Sequence, residues 1–512
     1  MEISRRQVLA GLAAAPVASL LDTPAAVAQP AAVPEVKLSW LEGLPNTAAV
    51  TTWGTPWPKG SVTPDQTFAL TAADGSAVPV QSWPTAYWPD GSLKWSAHAI
   101  APAAPSHSYT LTAGTAAAPA TAVTVKNEKR YLDVDTGVIK ARIPKDGTDL
   151  ISQVWRNGVE IARKGHLVNL KQDKIADDEE ATTKRDLFES EITSVKVEQA
   201  GPVRAVIRID GRHTAGKGRS WLPFTVRLYF YAGAENFRMM HTFVYDRDGQ
   251  QDYIAGLGVR FRVPLRDATY DRHVRFVGAD HGLLAEAIKG ITGLRRDPGS
   301  AVRAAQVAGT KLPDPATWDQ RVTTRLQYIP EWGDYTLSQL SADGFTVKKR
   351  TKKGYGWISV DQGERASGLG YVGGVSGGLA FGLRDFWQRH PTQLDIRGAH
   401  TAEAEVTVWL WSPAAGPMDT RFYHDGMGQD TYPKQLEGLN ITYEDHEPGF
   451  GTPYGIARTS ELTFWALAAT PTADRLGAMA DQVRTPPQLI NPVDHLVTTK
   501  VFGGLITPVD RS

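Results

Sequence analysis

Cysteine is absent from the 512 residues. That absence excludes disulfides, thiolate nucleophiles and thiolate-bound zinc, so packing and hydrogen bonds alone must hold the fold. Net charge is also absent, because 55 Lys and Arg stand against 55 Asp and Glu. A chain with no cationic excess has no general electrostatic attraction for nucleic acid or an anionic membrane. The apolar run Leu9 to Leu21 is too short to span a bilayer comfortably.

The setting of that run gives it another role. Ser4-Arg5-Arg6-Gln7-Val8-Leu9 precedes it, and Ala26-Val27-Ala28 follows with small residues at the −3 and −1 positions before Gln29. Twin arginines, a mildly apolar middle and an Ala-x-Ala exit predict a twin-arginine export signal over residues 1–28. The mature protein is then periplasmic or extracellular and off the membrane once the signal is removed. No cofactor motif is present.

Strand signals dominate the rest. Val36–Trp40, Thr67–Thr71, Val78–Gln81, Tyr109–Thr112 and Ala122–Lys126 are short runs broken by Asp74-Gly75, Asp90-Gly91 and many prolines, the spacing of a small barrel or sandwich. From Leu132 onward, Val203–Asp210, Thr225–Ala232, Phe237–Tyr245, Gly258–Val263, Gly378–Phe386 and Ala404–Trp411 alternate or run apolar, and Val203–Ile209 and Phe224–Phe230 each put every second side chain on one face. The expected fold is mainly β: a small N-terminal barrel over 29–125, a large antiparallel β-sandwich over 126–490, and a linker over 491–512. Only Ser460–Ala469 and Thr472–Val483 read as helices, and the chain from Arg484 reads as loop.

Several motifs reduce to structure on inspection. Gly368-Leu369-Gly370-Tyr371-Val372-Gly373 has the dinucleotide spacing but no following helix to hold a pyrophosphate. Gly374-Val375-Ser376-Gly377-Gly378 has the nucleophile-elbow spacing, yet a strand pattern follows it. Both fit a closely packed hairpin. Asp246-Arg247-Asp248-Gly249 with Asp252 lacks a full calcium ladder and reads as a turn, and Lys171–Lys184 reads as a solvated acidic loop. The aromatic stretch Trp83–Trp95, with Trp53 and Trp57 upstream, offers faces on which a pyranose ring stacks. Most of these rings are expected to fill the small core, with Trp57 and Trp88 kept as candidate sugar platforms.

The best concentration of chemistry lies in Arg421–Glu461, a run too polar and too rich in Gly and Pro to bury a face, and therefore expected as a functional loop. His424, Tyr432, Tyr443 and His446 are candidate proton-transfer groups. Arg458 is a candidate for a substrate carboxylate. Lys434 and Glu437 are candidate substrate contacts, and Glu444 and Glu447 could hold a cation, calcium being the one such carboxylates favour.

Trp53-Gly54-Thr55-Pro56-Trp57-Pro58-Lys59-Gly60, Gln81-Ser82-Trp83-Pro84 through Lys94-Trp95, Phe422-Tyr423-His424-Asp425-Gly426 and Gly449 through Thr459 resemble the exo-rhamnogalacturonan lyase family and its YetA-like bacterial relatives. The resemblance implies an N-terminal RIFT-type barrel, a central β-sandwich and a C-terminal α/α toroid, of which this chain stops short. It also implies β-elimination at rhamnose-(1→4)-galacturonate linkages of a uronate-containing polysaccharide. For that reaction, Arg458, or a metal near Glu444 and Glu447, is cast on the carboxylate, His424 or Tyr432 as base and Tyr443 or His446 as acid. A non-catalytic sugar-binding module and a glycoside hydrolase with a carboxylate pair are the alternatives.

Overall fold

Alternation governs the first strand of the computed structural model: Val36, Leu38 and Trp40 are buried while Lys37 and Ser39 face solvent. The structure describes residues 33–504 except 176–181, 217, 250, 292–296 and the stretch 421–452, within which only 433, 434 and 437 are described. Two sheets form the N-terminal unit. One holds Val36–Trp40, Ser108–Ala113, Phe68–Ala72 and Ala77–Val78, and the other places Leu93–Ala103 between Ala49–Pro56 and Val80–Tyr87. Between them Val36, Leu38, Trp57, Phe68, Leu70 and Leu111 make a separate apolar core.

The chain returns to this unit at its far end. Leu489–Ile490 pairs antiparallel with Trp40 and Ser39, Asn491 Nδ2 donates to Gly54 O at 2.7 Å, and His495 Nε2 lies 2.8 Å from Pro56 O. Residues expected as the end of the sandwich and as a linker therefore complete an edge of the N-terminal sheet. A two-residue strand leaves almost no periodic signal, but it covers backbone groups that an open edge would expose.

The central unit is a pair of antiparallel sheets. Across the first, the order is Arg185–Ala200, Arg204–Thr214, Ser220–Tyr231, Asn236–Val244, Ala457–Leu467, Gly377–Leu383, Leu369–Gly374, Arg272–Val277 and Leu283–Ala287. Across the second it runs from Thr124–Asn127 through Val159–Gln172, Tyr253–Pro264, Glu403–Trp411, Thr392–Arg397 and Asp334–Ser341 to Gly344–Arg350 and Ile358–Gly363. Val159–Gln172 also pairs with Arg185–Ala200 and so joins the two sheets. Aromatic rings fill the gap: Phe261 of the second sheet lies 4.9 Å from Phe464 of the first, which stacks on Phe237 at 5.3 Å. At roughly 25 cal/mol per Å² of apolar surface, such rings dominate the stabilisation.

Ser460–Ala469, expected as a helix, lies mostly within the strand Ala457–Leu467. Leu462, Phe464, Trp465, Ala466 and Leu467 are all buried there. A central strand covered on both faces gives a continuous apolar run, and periodicity cannot tell that from a helix. The second expected helix is present as Ala473–Arg484, with Thr472 accepting a cap bond from Arg475 N at 3.3 Å. It buries Leu476, Met479, Ala480 and Val483 at helical spacing. Helices at Ser300–Ala308 and Val493–Thr498, of 9 and 6 residues, are outside the sequence-based expectation because they are too short to repeat an apolar stripe. Among the described residues, no helix is long and apolar enough to cross a membrane.

Candidate functional site

Strand pleating divides the first sheet of the sandwich into an apolar inner face and a polar outer one. Register places Arg208, Arg227, Met240 and Glu461 side by side on the outer face, with Val206, Tyr229, Arg238 and Thr463 in the next row. Arg384, just past Gly377–Leu383, joins that face by donating its backbone N–H to Glu461 O at 3.0 Å. The N-terminal unit docks over one end of this surface. Gln81 Oε1 accepts from Val203 N and Arg204 N at 3.0 and 2.8 Å, and the Arg204 guanidinium stacks 4.1 Å from the Trp83 ring.

Beside that docking lies a cleft of about 770 Å³, walled by Ala49–Pro56 and Trp95 of the N-terminal unit, the arginine-bearing sheet face, the helix Ala473–Arg484 and the returning tail. Its charged lining is Glu235, Arg238, Arg384, Glu461 and Arg475. Glu461 accepts from Arg384 Nη1 at 3.0 Å and lies 2.5 Å from Arg238 Nε, a contact too poorly aligned for a hydrogen bond. Glu235 takes Arg475 on one oxygen and Arg156 Nη1 at 2.6 Å on the other. Four guanidiniums thus share two carboxylates. Asp385, 3.8 Å from Arg384 Nε, is itself shared with Arg389 at 3.7 Å.

Aromatic rings line the same space. Trp53, Tyr231 and Trp465 are nearly buried in its wall, while Trp95 meets the exposed ring of Phe502 edge-on at 6.0 Å at the rim. Tyr231 Oη shares a 3.1 Å hydrogen bond with Thr52 Oγ1, which also accepts from Arg204 Nη1 at 3.1 Å. Burial pushes the pKa of neighbouring Tyr229 up, against the pull of Arg238 and Arg204. A ring surface beside an excess of N–H donors is chemistry suited to an acidic sugar: the rings take the C–H face and the guanidiniums take the carboxylate.

The residues singled out in the sequence distribute unevenly about this cleft. Trp57 is fully buried, stacked on Phe68 at 5.0 Å and donating its Nε1–H to Ser96 Oγ at 2.8 Å, so it is core and no sugar platform. Trp88 is half-buried, with Nε1 on Trp57 O at 3.0 Å and Lys94 over its ring, and it does not line the cleft. Arg458 shares the pleat of Ser460 and Leu462, opposite to Glu461 and Thr463. Its Nη2 donates to Arg389 O at 3.2 Å, and burial, with Arg389 beside it, lowers its pKa. It is therefore turned away from the cleft. Lys434 and Glu437 are exposed helical residues, a small departure from the expected loop. His424, Tyr432, Tyr443, Glu444, His446 and Glu447 lie outside the described residues, as does most of their segment. Both ends of that segment are anchored at Tyr245, whose backbone exchanges hydrogen bonds with Gly455 and Ile456 and whose side chain contacts Thr420.

The discarded motifs have structural roles. Leu369–Gly374 and Gly377–Leu383 form a hairpin in which Gly374 opposes Gly377. A Cβ on Gly373 would sit 2.4 Å from Tyr371 Oη, which explains the glycine there. Ser376 is held by Asp267, Oγ to Oδ1 at 2.6 Å. Asp246 is committed to Arg212 and to Leu222 N, and Asp252 to Lys171, which leaves a turn. Among the described residues, no group of His, Asp and Glu is placed to hold a metal.

The cleft residues Glu235, Arg238, Arg384 and Arg475 carry no shared local motif, since they come from three separate segments of the chain. The available signal was arginine at two of the three outward positions of Val203–Ile209, Arg204 and Arg208, with Val206 between them.

Comparisons with known proteins follow the same architecture. Residues 34–114 match the PcRGLX-like N-terminal RIFT barrel domain, and residues 123–481 match the PcRGLX-like protein central beta sandwich domain. The Bacillus subtilis (strain 168) protein described as "Uncharacterized protein YetA" is 34% identical over 476 residues, covering 91% of this chain. The chain spans about half of that relative's length, 53%. Among solved structures, a glycosyl hydrolase family 38 protein from Enterococcus faecalis aligns over 90% of this chain and 47% of its own, at 9% identity and a TM-score of 0.44. A galactose mutarotase-like protein from Lactobacillus casei aligns over 67% and 99%, at 10% identity and a TM-score of 0.30. On the match that spans most of its length, the chain belongs to the PcRGLX-like protein family.

Proposed function

We propose that this protein is a rhamnogalacturonan lyase-related enzyme that holds a uronate residue of the polysaccharide in the arginine cleft and breaks the rhamnose-(1→4)-galacturonate bond by β-elimination. The observation that carries the reading is the sharing of two carboxylates, Glu235 and Glu461, among Arg238, Arg384 and Arg475 in an aromatic-walled space large enough for a disaccharide, with Arg156 on the second oxygen of Glu235.

In the elimination, a base takes the C5 proton, the electron pair moves toward the carboxylate-stabilised carbanion and then into the C4–C5 double bond, and O4 leaves with the C4–O4 pair and a proton from an acid. The C5 proton is weakly acidic, so positive charge fixed on the carboxylate lowers the barrier as the carbanion forms. Arg238 and Arg384 are already held by Glu461 and need little reorganisation to do this. The proton-transfer roles stay with the residues named from the sequence, His424 or Tyr432 as base and Tyr443 or His446 as acid. Their segment rejoins the sheet at Ala457, and four residues of strand, roughly 13 Å, separate Ala457 from Glu461. The hydrolase alternative is less well supported, since both cleft carboxylates are occupied by two guanidiniums each and a glycosidase needs one free to protonate the leaving oxygen.

The test is to incubate the chain with rhamnogalacturonan, with and without calcium, and follow ultraviolet absorbance for an unsaturated uronate. Absorbance should rise with the parent chain and fail to rise with Arg238→Ala or Arg384→Ala. Retained polysaccharide binding without any product would replace the lyase by a binding module, and new reducing ends without the chromophore would replace it by a hydrolase. Export by the twin-arginine route belongs to the same proposal. It predicts that Arg5→Lys with Arg6→Lys retains the protein in the cytoplasmic fraction of the producing cell.

A further inference from the structure

A second concentration of charge lies away from the cleft. Lys348, Lys349, Arg350, Lys352 and Lys353 fall within one short run, followed by Tyr355 and Trp357, in a chain whose total charge is zero. The run folds as the hairpin between Gly344–Arg350 and the edge strand Ile358–Gly363, and it shares no residue with the cleft lining.

Two of the five cations fix the base of this hairpin. Lys349 points inward, 2.6 and 2.7 Å from the oxygens of Glu286 and 4.3 Å over the Trp332 ring. Arg350 pairs with Asp334 at 2.7 Å and lies 4.4 Å over Trp357, whose ring also has Arg397 at 5.0 Å. Lys348, Lys352 and Lys353 are exposed, and Lys348 has only neutral Thr336 and Ser359 as register neighbours. Lys352 lies 5.3 Å over Tyr355, which is 58% exposed, and Trp357 is 38% exposed.

Lysines beside an edge strand also discourage edge-to-edge pairing. That role does not account for Lys352 and Lys353, which stand on the turn beyond the strands, nor for two open aromatic rings among them. We propose that the hairpin tip from Lys348 to Ile358 is a surface docking site for acidic polysaccharide. Lys348, Lys352 and Lys353 meet carboxylates of successive uronates, while the Tyr355 ring stacks on a sugar and the exposed part of Trp357 packs beside it. The choice of a uronate polymer rests on the function proposed for the cleft; the cationic and aromatic character of the tip stands independently of it.

The test uses the full chain in native gels cast with polygalacturonate, with neutral galactan, heparin and duplex DNA as comparison polymers, at low and raised salt. Replacing the three lysines by glutamine should weaken polygalacturonate retardation about tenfold at low salt and reduce its salt dependence. Tyr355→Ala should weaken it several-fold while leaving migration in galactan and thermal unfolding unchanged. Equal retardation of parent and triple variant would overturn the site. So would a triple variant that loses heparin and DNA as strongly as polygalacturonate while Tyr355→Ala changes nothing, the pattern of a general cationic patch. Arg238→Ala separates the two proposals, because it should slow elimination about 10²–10³-fold and leave polygalacturonate retardation in place. Failure of the lyase assay would leave this readout intact.

Discussion

The two faces of one sheet solve opposite problems with the same strands. On the inner face, His213 and His241 are fully buried among Trp221, Phe224 and Phe243, and burial pushes their pKa values down to about 4 and about 3. On the outer face, Arg208, Arg227, Arg238 and Arg384 each have a carboxylate partner. Polar groups survive inside by losing charge and outside by pairing it. Arg458 stands where the two regimes meet, on the inner pleat at the start of its strand, and its pKa is lowered accordingly. The difference leaves paired, partly exposed guanidiniums on one face only.

The strongest way to break the comparison is to remove an inner-face ring. Phe464→Ala strips the contacts that this ring makes with Phe237 and Phe261 and should cost about 3–5 kcal/mol, read as a fall in the denaturant midpoint at unchanged slope. Arg238→Ala should act in the other direction of specificity. It is expected to lower kcat/KM for rhamnogalacturonan by about 10²–10³-fold, the size of one lost transition-state donor, with little change in the denaturant midpoint. If Arg238→Ala unfolds the protein instead, the outer face is structural and the assignment of the cleft fails.

How much of this was legible in the sequence follows from the same division. The inner face was readable because alternation is a local property, and strands such as Val36–Trp40 and Phe237–Tyr245 fall where their patterns put them, within a residue or so. Ala457–Leu467 misled because burial on both sides erases alternation. The cleft is assembled from Ala49–Pro56, Trp95, Glu235, Arg384 and Arg475, groups hundreds of residues apart in the chain, and no local spacing announces such a meeting. The aromatic stretch did announce tryptophans near a site. Which of them are open was decided by the pleat: Trp95 faces the cleft, and Trp57 is sealed under Phe68.

Acid should act next, on the buried histidines of both units. His98, His213, His241 and His273 are buried and have pKa values lowered by burial to about 3, 4, 3 and 4, from an ordinary 6.5. Their folded values lie below their unfolded ones, so the stability they carry is present above about pH 6.5 and is lost as pH falls toward 3 to 4. At pH 5 each should weaken the fold by roughly 2 kcal/mol, seen as a falling midpoint in denaturant titrations from pH 7 to 5. His241→Leu, which has nothing to protonate, should flatten that fall by about one histidine's share. A fall unchanged by the substitution would place the acid sensitivity elsewhere.

The smallest effect is expected on the outer face at its most exposed pair. Arg227 and Glu198 form two parallel hydrogen bonds of 2.9 and 3.1 Å, and that pairing holds the guanidinium's pKa above its ordinary value. Their side chains are 37% and 33% exposed, however, whereas Glu461 is 13% exposed and holds two arginines. Water already solvates the first pair well, so Arg227→Ala should cost under about 1 kcal/mol. Glu461→Ala should cost about 1–3 kcal/mol, because it strands two half-buried guanidiniums without their acceptor. The comparison turns on that ratio. Equal losses would mean that pairing on this face is valued by geometry alone, and the cleft arginines would then have no more reason than Arg227 to be treated as poised for a substrate carboxylate.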